Sequence, residues 1–140
     1  MKINLSLNSI RYLNLLEKIS RVKAKNCFFY NNSLIFIIEK KDFSKAIGKN
    51  GKNMKILSSI LKKRVRLIFF PKNKKEIENF FVELVKPIKL EEIKLKNNEL
   101  FVKGGLEERS IIIGRNRKGE KEILSILNDF FGIKKINFIK

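Results

Sequence analysis

Residues 45–56 read Lys-Ala-Ile-Gly-Lys-Asn-Gly-Lys-Asn-Met-Lys-Ile, with two glycines three apart and lysines between and after them. Gly48 and Gly51 carry no Cβ, so the backbone can turn tightly there and lie against another backbone. Lys49 and Lys52 add positive charge at the same point. The apolar pattern that follows predicts a helix, whose first free N–H groups and dipole would face whatever the turn touches. Together these are the parts of a site for the phosphate backbone of a nucleic acid. A weaker version follows later as Ile113-Gly114-Arg115-Asn116-Arg117-Lys118.

The two turns are related. Their first glycines stand 114 − 48 = 66 residues apart, and shifting the chain by 66 aligns 31–61 with 97–127 without a gap. Twelve of these 31 positions are identical, among them Asn31/Asn97, Asn32/Asn98, Leu34/Leu100, Ile47/Ile113, Gly48/Gly114, Asn50/Asn116 and Lys52/Lys118. An excess of Lys, Ile and Asn raises the background of such matches but does not explain the glycines. The chain therefore reads as two copies of one unit, 1–71 and 72–140, divided near Pro71-Lys72-Asn73.

Each copy must position its turn. Ile10, Leu13, Leu16 and Ile19 recur near helical spacing and predict a helix over about 6–21; Ile77, Phe80, Phe81, Leu84 and Val85 predict its counterpart. Asn73 with Glu76 three residues later marks the start of that second helix, and Pro87 its end. Strands follow at 26–30 and 34–39 in the first copy and at 88–96 and 99–103 in the second, joined through Asn31-Asn32-Ser33 and Asn97-Asn98. A short helix (about 42–47 and about 106–113), the glycine turn, a longer helix and a closing strand (65–70 and 134–139) complete each unit. The class is α+β and the order is α-β-β-α-α-β, twice, each unit packing a three-stranded sheet against helices.

The composition fits a polyanion partner. Lys plus Arg number 32 against 14 Asp plus Glu, a formal charge of +18 on 140 residues. Such a field attracts nucleic acid first. The chain has no histidine, which rules out histidine-based zinc sites, Ser-His-Asp triads and histidine general bases. Its one cysteine, Cys27, sits in an apolar run and reads as a small buried hydrophobe. No apolar run approaches the roughly 20 residues that cross a bilayer, and no targeting segment is legible, so a cytoplasmic, membrane-free location is expected.

The Gly-x-x-Gly turn within this element order resembles the type II KH domain, and Ile47-Gly48-Lys49-Asn50-Gly51-Lys52-Asn53 matches its core pattern. Two tandem copies in a chain of this size resemble the archaeal NusA-like transcription termination factors. The resemblance covers nearly the whole chain. It implies single-stranded RNA as the partner, with about four nucleotides clamped in a cleft by the glycine loop. It also implies a role in transcription termination or elongation control, with RNA polymerase as a further partner of a monomeric protein.

Carried over residue by residue, Gly48 and Gly51 would bring backbone next to phosphates, Lys49, Asn50 and Lys52 would contact phosphate or sugar oxygens, and Ile47 would floor the cleft. Ile35 or Ile37 would meet base edges. In the second copy Ile113, Gly114, Arg115, Asn116 and Lys118 carry over, whereas Arg117 stands where the closing glycine belongs. A side chain there hinders close backbone approach but adds a cation. This predicts that the first unit reads bases while the second contributes electrostatic affinity.

Competing functions are weaker. A ribosome-assembly or ribosome-associated protein binding ribosomal RNA is the alternative consistent with the same charge. A metal-dependent nuclease needs clustered carboxylates, and the adjacent pairs Glu91-Glu92 and Glu107-Glu108 point apart rather than together. Neither turn is a nucleotide-triphosphate loop. No enzymatic activity, cofactor or metal is expected. Phe28, Phe29, Tyr30 and Phe36 lie on alternating strands and read mostly as core.

Overall fold

The computed structural model describes residues 7–139. Ser6, the expected first residue of the opening helix, lies outside them. The chain forms two compact units, one ending at Phe70 and the other beginning at Pro71. The element order α-β-β-α-α-β is observed in each.

In the first unit, α1 (Leu7–Ser20) leads into β1 (Asn26–Tyr30) and β2 (Ser33–Ile38); α2 (Phe43–Ile47) and α3 (Lys52–Leu61) then cross over to β3 (Arg64–Phe69). Strand β2 is central, antiparallel to β1 and parallel to β3. The β1–β2 hairpin closes on Asn31 and Asn32 alone, at φ 50° and 60°, while Ser33 already pairs with Tyr30. Two consecutive left-handed residues give the tight turn whose twist matches the strands, and asparagine tolerates that conformation best after glycine.

Side chains alternate across β2. Leu34, Phe36 and Ile38 join Leu16, Val22, Cys27, Ala46 and Leu57 in one core on the helix side. Ile35 and Ile37 take the other face and are also fully buried. Neither can meet a base edge, so that expectation is corrected: a strand buried on both faces offers its side chains to no ligand. Of the four aromatics, Phe36 and Tyr30 are buried and Phe28 half-buried. Phe29 departs from the core, 43% exposed, with Lys63 Nζ 5.2 Å from its ring centroid.

The second unit repeats this plan with α4 (Lys74–Leu84), β4 (Glu92–Lys96), β5 (Glu99–Lys103), α5 (Leu106–Ile113), α6 (Lys118–Phe131) and β6 (Lys135–Ile139). Again the middle strand, β5, is antiparallel to one neighbour and parallel to the other. Asn73 caps α4 by accepting the Glu76 N–H at 2.9 Å, and Glu76 accepts from the Lys72 N–H at 3.1 Å. Strand β4 is shorter than the expected 88–96. Its partner β5 ends at Lys103 before Gly104-Gly105, so residues 88–90 have nothing to pair with and run irregularly after the turn at 85–87. Helix α6 has 14 residues against 10 in α3, about one turn more, which is why the gapless repeat stops at Leu61 and Leu127.

Candidate nucleic-acid interface

The first glycine turn joins α2 to α3. The Gly48 N–H donates to the Ser44 carbonyl at 3.0 Å, closing α2, and the Gly51 N–H donates back to the Gly48 carbonyl at 3.1 Å. Between them Lys49 and Asn50 sit exposed at the apex. The second turn repeats this backbone: Gly114 N–H to Ser110 carbonyl at 2.9 Å, and Arg117 N–H to Gly114 carbonyl at 3.2 Å. Asn50 and Asn116 share φ 56° and 55°.

The two glycine positions of the motif differ in what they demand. Gly48 lies at φ 79°, ψ 169° and Gly114 at φ 73°, ψ 174°, a region open to glycine alone. A Cβ on Gly48 would also stand 2.8 Å from Asn53 Cγ. Gly51 lies at φ 72°, ψ 19°, the ordinary left-handed region, and a Cβ there would meet nothing within 4 Å. The closing position therefore accepts a side chain at a modest backbone cost, and Arg117 takes it at φ 59°, ψ 22°. Sequence reasoning located the substitution, and the dihedrals say why the second unit tolerates it.

The space above Gly51 is open, flanked by exposed Lys49, Asn50 and Lys52. The capping position of α3 is Gly51, which has no side chain to bond the first N–H groups of the helix. Ile47 is half-buried behind the turn, as is Ile113 in the second unit. The arrangement can hold an anionic, extended chain close to glycine backbone while two ammonium groups meet its phosphates.

The second turn exposes Arg115, Asn116, Arg117 and Lys118. Arg117 is not free, however. Its Nε and Nη2 donate to the two carboxylate oxygens of Glu120 at 2.6 and 2.8 Å. These hydrogen bonds, and then the Glu120 charge, push the guanidinium pKa further up. A bidentate pair of this kind occupies the fork that would otherwise take a phosphate. The expected extra cation is thus paired with Glu120 on the exposed surface, and Arg115 and Lys118 carry the loop's other charge.

The roles of two residues at this site escaped sequence reasoning. Asn53 Nδ2 donates to the Lys45 carbonyl at 3.1 Å, bridging α3 to α2. Its counterpart is Gly119, where a Cβ would stand 2.5 Å from the Ile112 carbonyl oxygen. The Arg117–Glu120 spacing of three was legible as a helical pair; the Asn53 bridge left no local signal.

Elsewhere, Cys27 is buried and its thiol donates to the Ser9 carbonyl at 3.6 Å; burial pushes its pKa up to about 11. Among the described residues, no group of three or more His, Cys, Asp or Glu could hold a metal ion, and no helix is long and apolar enough to cross a membrane.

Comparison with known proteins places this geometry in context. No protein-family model matches the chain. Over 143 residues it is 29% identical to a Methanocaldococcus jannaschii protein named "Probable transcription termination protein NusA", covering 99% of this chain and 76% of the relative. A Methanococcus vannielii protein of the same name is 28% identical over 144 residues, covering 99% and 81%. Among solved structures, the crystal structure of APE1850 superposes with a TM-score of 0.63 at 25% identity, covering 96% of this chain and all of that one.

Proposed function

We propose that this chain, a homologue over nearly its whole length of archaeal proteins named probable transcription termination protein NusA, is a non-catalytic, single-stranded RNA-binding factor of transcription. On this reading each unit, 1–71 and 72–140, is a type II KH module. The protein acts as a cytoplasmic monomer in termination or elongation control, with RNA polymerase as its protein partner.

The observation that carries the reading is the open backbone at Gly51, flanked by exposed Lys49, Asn50 and Lys52. Glycine backbone clamps RNA phosphates where no side chain intervenes, and cations add affinity through counterion release. The parallel pairing of the middle strand with the last strand in each unit supports the same module type.

The two units divide the work. The first turn clamps RNA and orients its bases. The second, with Arg117 in the closing position and held by Glu120, adds charge from Arg115 and Lys118.

Affinity purification of the tagged chain from its own cells tests the assignment. Recovery with RNA polymerase, sensitive to loss of nascent RNA, is the expected result. Recovery with ribosomal particles in place of polymerase contradicts it and favours a ribosomal RNA partner.

A further inference from the structure

The two units differ on the sheet face turned away from their helix-side core. In β5, Leu100 and Val102 are fully buried, so Glu99, Phe101 and Lys103 take the opposite face. Phe101 sits at its centre, half-buried, with Lys94 directly opposite on β4 and Asn137 opposite on β6. Exposed Lys103 pairs with Ile139, itself 43% exposed. Phe101, Ile139, Lys94, Lys96 and Lys103 line a groove of about 1060 Å³ that continues to Lys74 and Lys75 of α4.

Carboxylates border the groove but are largely engaged. Glu78 accepts the Leu95 N–H at 2.7 Å and lies 3.7 Å from Lys75. Glu92 lies 3.6 Å from Lys94, and Glu99 accepts from Asn137 at 3.0 Å. Glu91 is exposed at the rim. Lys96 and Lys103 make no ion pair among the described residues.

The fold does not require this chemistry. With the offset of 66, Phe101 and Lys103 correspond to Ile35 and Ile37, which are fully buried. In the second unit the same positions carry an accessible ring among cations. An aromatic ring on a sheet face with lysines beside it can serve as a stacking platform: the ring takes a base of any identity, and the cations take the flanking phosphates.

We infer that this open face is a second binding platform for single-stranded RNA, with Phe101 stacking a base and Lys96 and Lys103, which carry no ion pair among the described residues, holding phosphates. It rests on the reading of the chain as an RNA-binding protein, and it adds a contact for RNA on the second unit besides its glycine turn.

The chain contains no tryptophan, so Phe101→Trp places a single indole on the face. Titration with a short oligouridylate is expected to quench its emission saturably, also when Lys49→Asp/Asn50→Asp is present. Phe101→Ala is expected to weaken binding by about five-fold or more, the low end for one stacked base. Lys96→Ala/Lys103→Ala, which leaves the ring in place, is expected to lower the salt dependence. A Phe101→Trp chain that binds RNA by anisotropy with unchanged emission overturns the platform while leaving the glycine-turn reading intact. Quenching by polyglutamate but not by oligouridylate overturns the choice of RNA. Failure of the wild type to bind any RNA removes both readings.

Discussion

The side-chain amide of Asn53 donates to the backbone carbonyl of Lys45 at 3.1 Å, tying the first turn of α3 to α2 across the glycine loop. The second unit achieves the same closeness differently. Gly119 stands at the equivalent position, and its lack of a side chain lets α6 approach the Ile112 carbonyl. One loop is fastened by a hydrogen bond and the other by close backbone packing, and each fixes the exposed apex above it.

Asn53→Ala removes this bridge. The bond is exposed, so the expected loss of stability is about 0.5–1 kcal/mol. RNA affinity is expected to fall more than stability suggests, because the apex loses its fixed geometry. Thermal unfolding and RNA anisotropy on the same preparation check both.

The glycines are expected to rank. Gly48→Ala meets Asn53 at 2.8 Å in a backbone region closed to alanine, and should cost about 2 kcal/mol or more. Gly51→Ala only enters the left-handed region with free space around it, and should cost about 1 kcal/mol. Urea unfolding distinguishes the two. Equal losses would mean the turn does not hold these dihedrals in solution.

Arg117 should gain a phosphate when released. Glu120→Gln removes the carboxylate that engages its guanidinium, and the expected outcome is tighter RNA binding with a steeper salt dependence. Unchanged salt dependence would show that Arg117 makes no phosphate contact even when released.

Cys27 should be inert in the folded protein. Its thiol pKa is pushed up to about 11 by burial, and the thiolate is the reactive form. Alkylation by iodoacetamide at neutral pH is expected only after denaturation. Labelling of the native chain would mean that the core around Leu16 and Phe36 opens locally.

Much of the fold was legible because its signals are local. The helical spacing of Ile77, Phe80, Phe81 and Leu84, the Asn73 cap and the two Asn-Asn turns each act within a few residues, and they placed α4 and both hairpins. The repeat placed the rest, since one unit's pattern clarified the other. Tertiary pairing was less legible: 88–90 alternate like a strand but have no partner beyond Lys103. The identity of the buried face was equally hidden, because Ile35 and Ile37 look the same in sequence whether they line a cleft or a core. At the candidate site the glycines and lysines declared themselves by type. The Asn53 bridge and the open face around Phe101 depend on contacts between separate elements and carried no local mark.

Binding of the wild type and of Lys49→Asp/Asn50→Asp to a pool of short single-stranded RNAs at physiological salt tests the central claim most directly, with circular dichroism to verify that both chains fold. Both residues are exposed at the apex, so the substitutions leave the core untouched. A large loss of affinity in the double variant, with the fold unchanged, is the predicted result. Undiminished binding would contradict it, and would mean that the charge of +18 holds RNA diffusely without a clamp at the glycine turn.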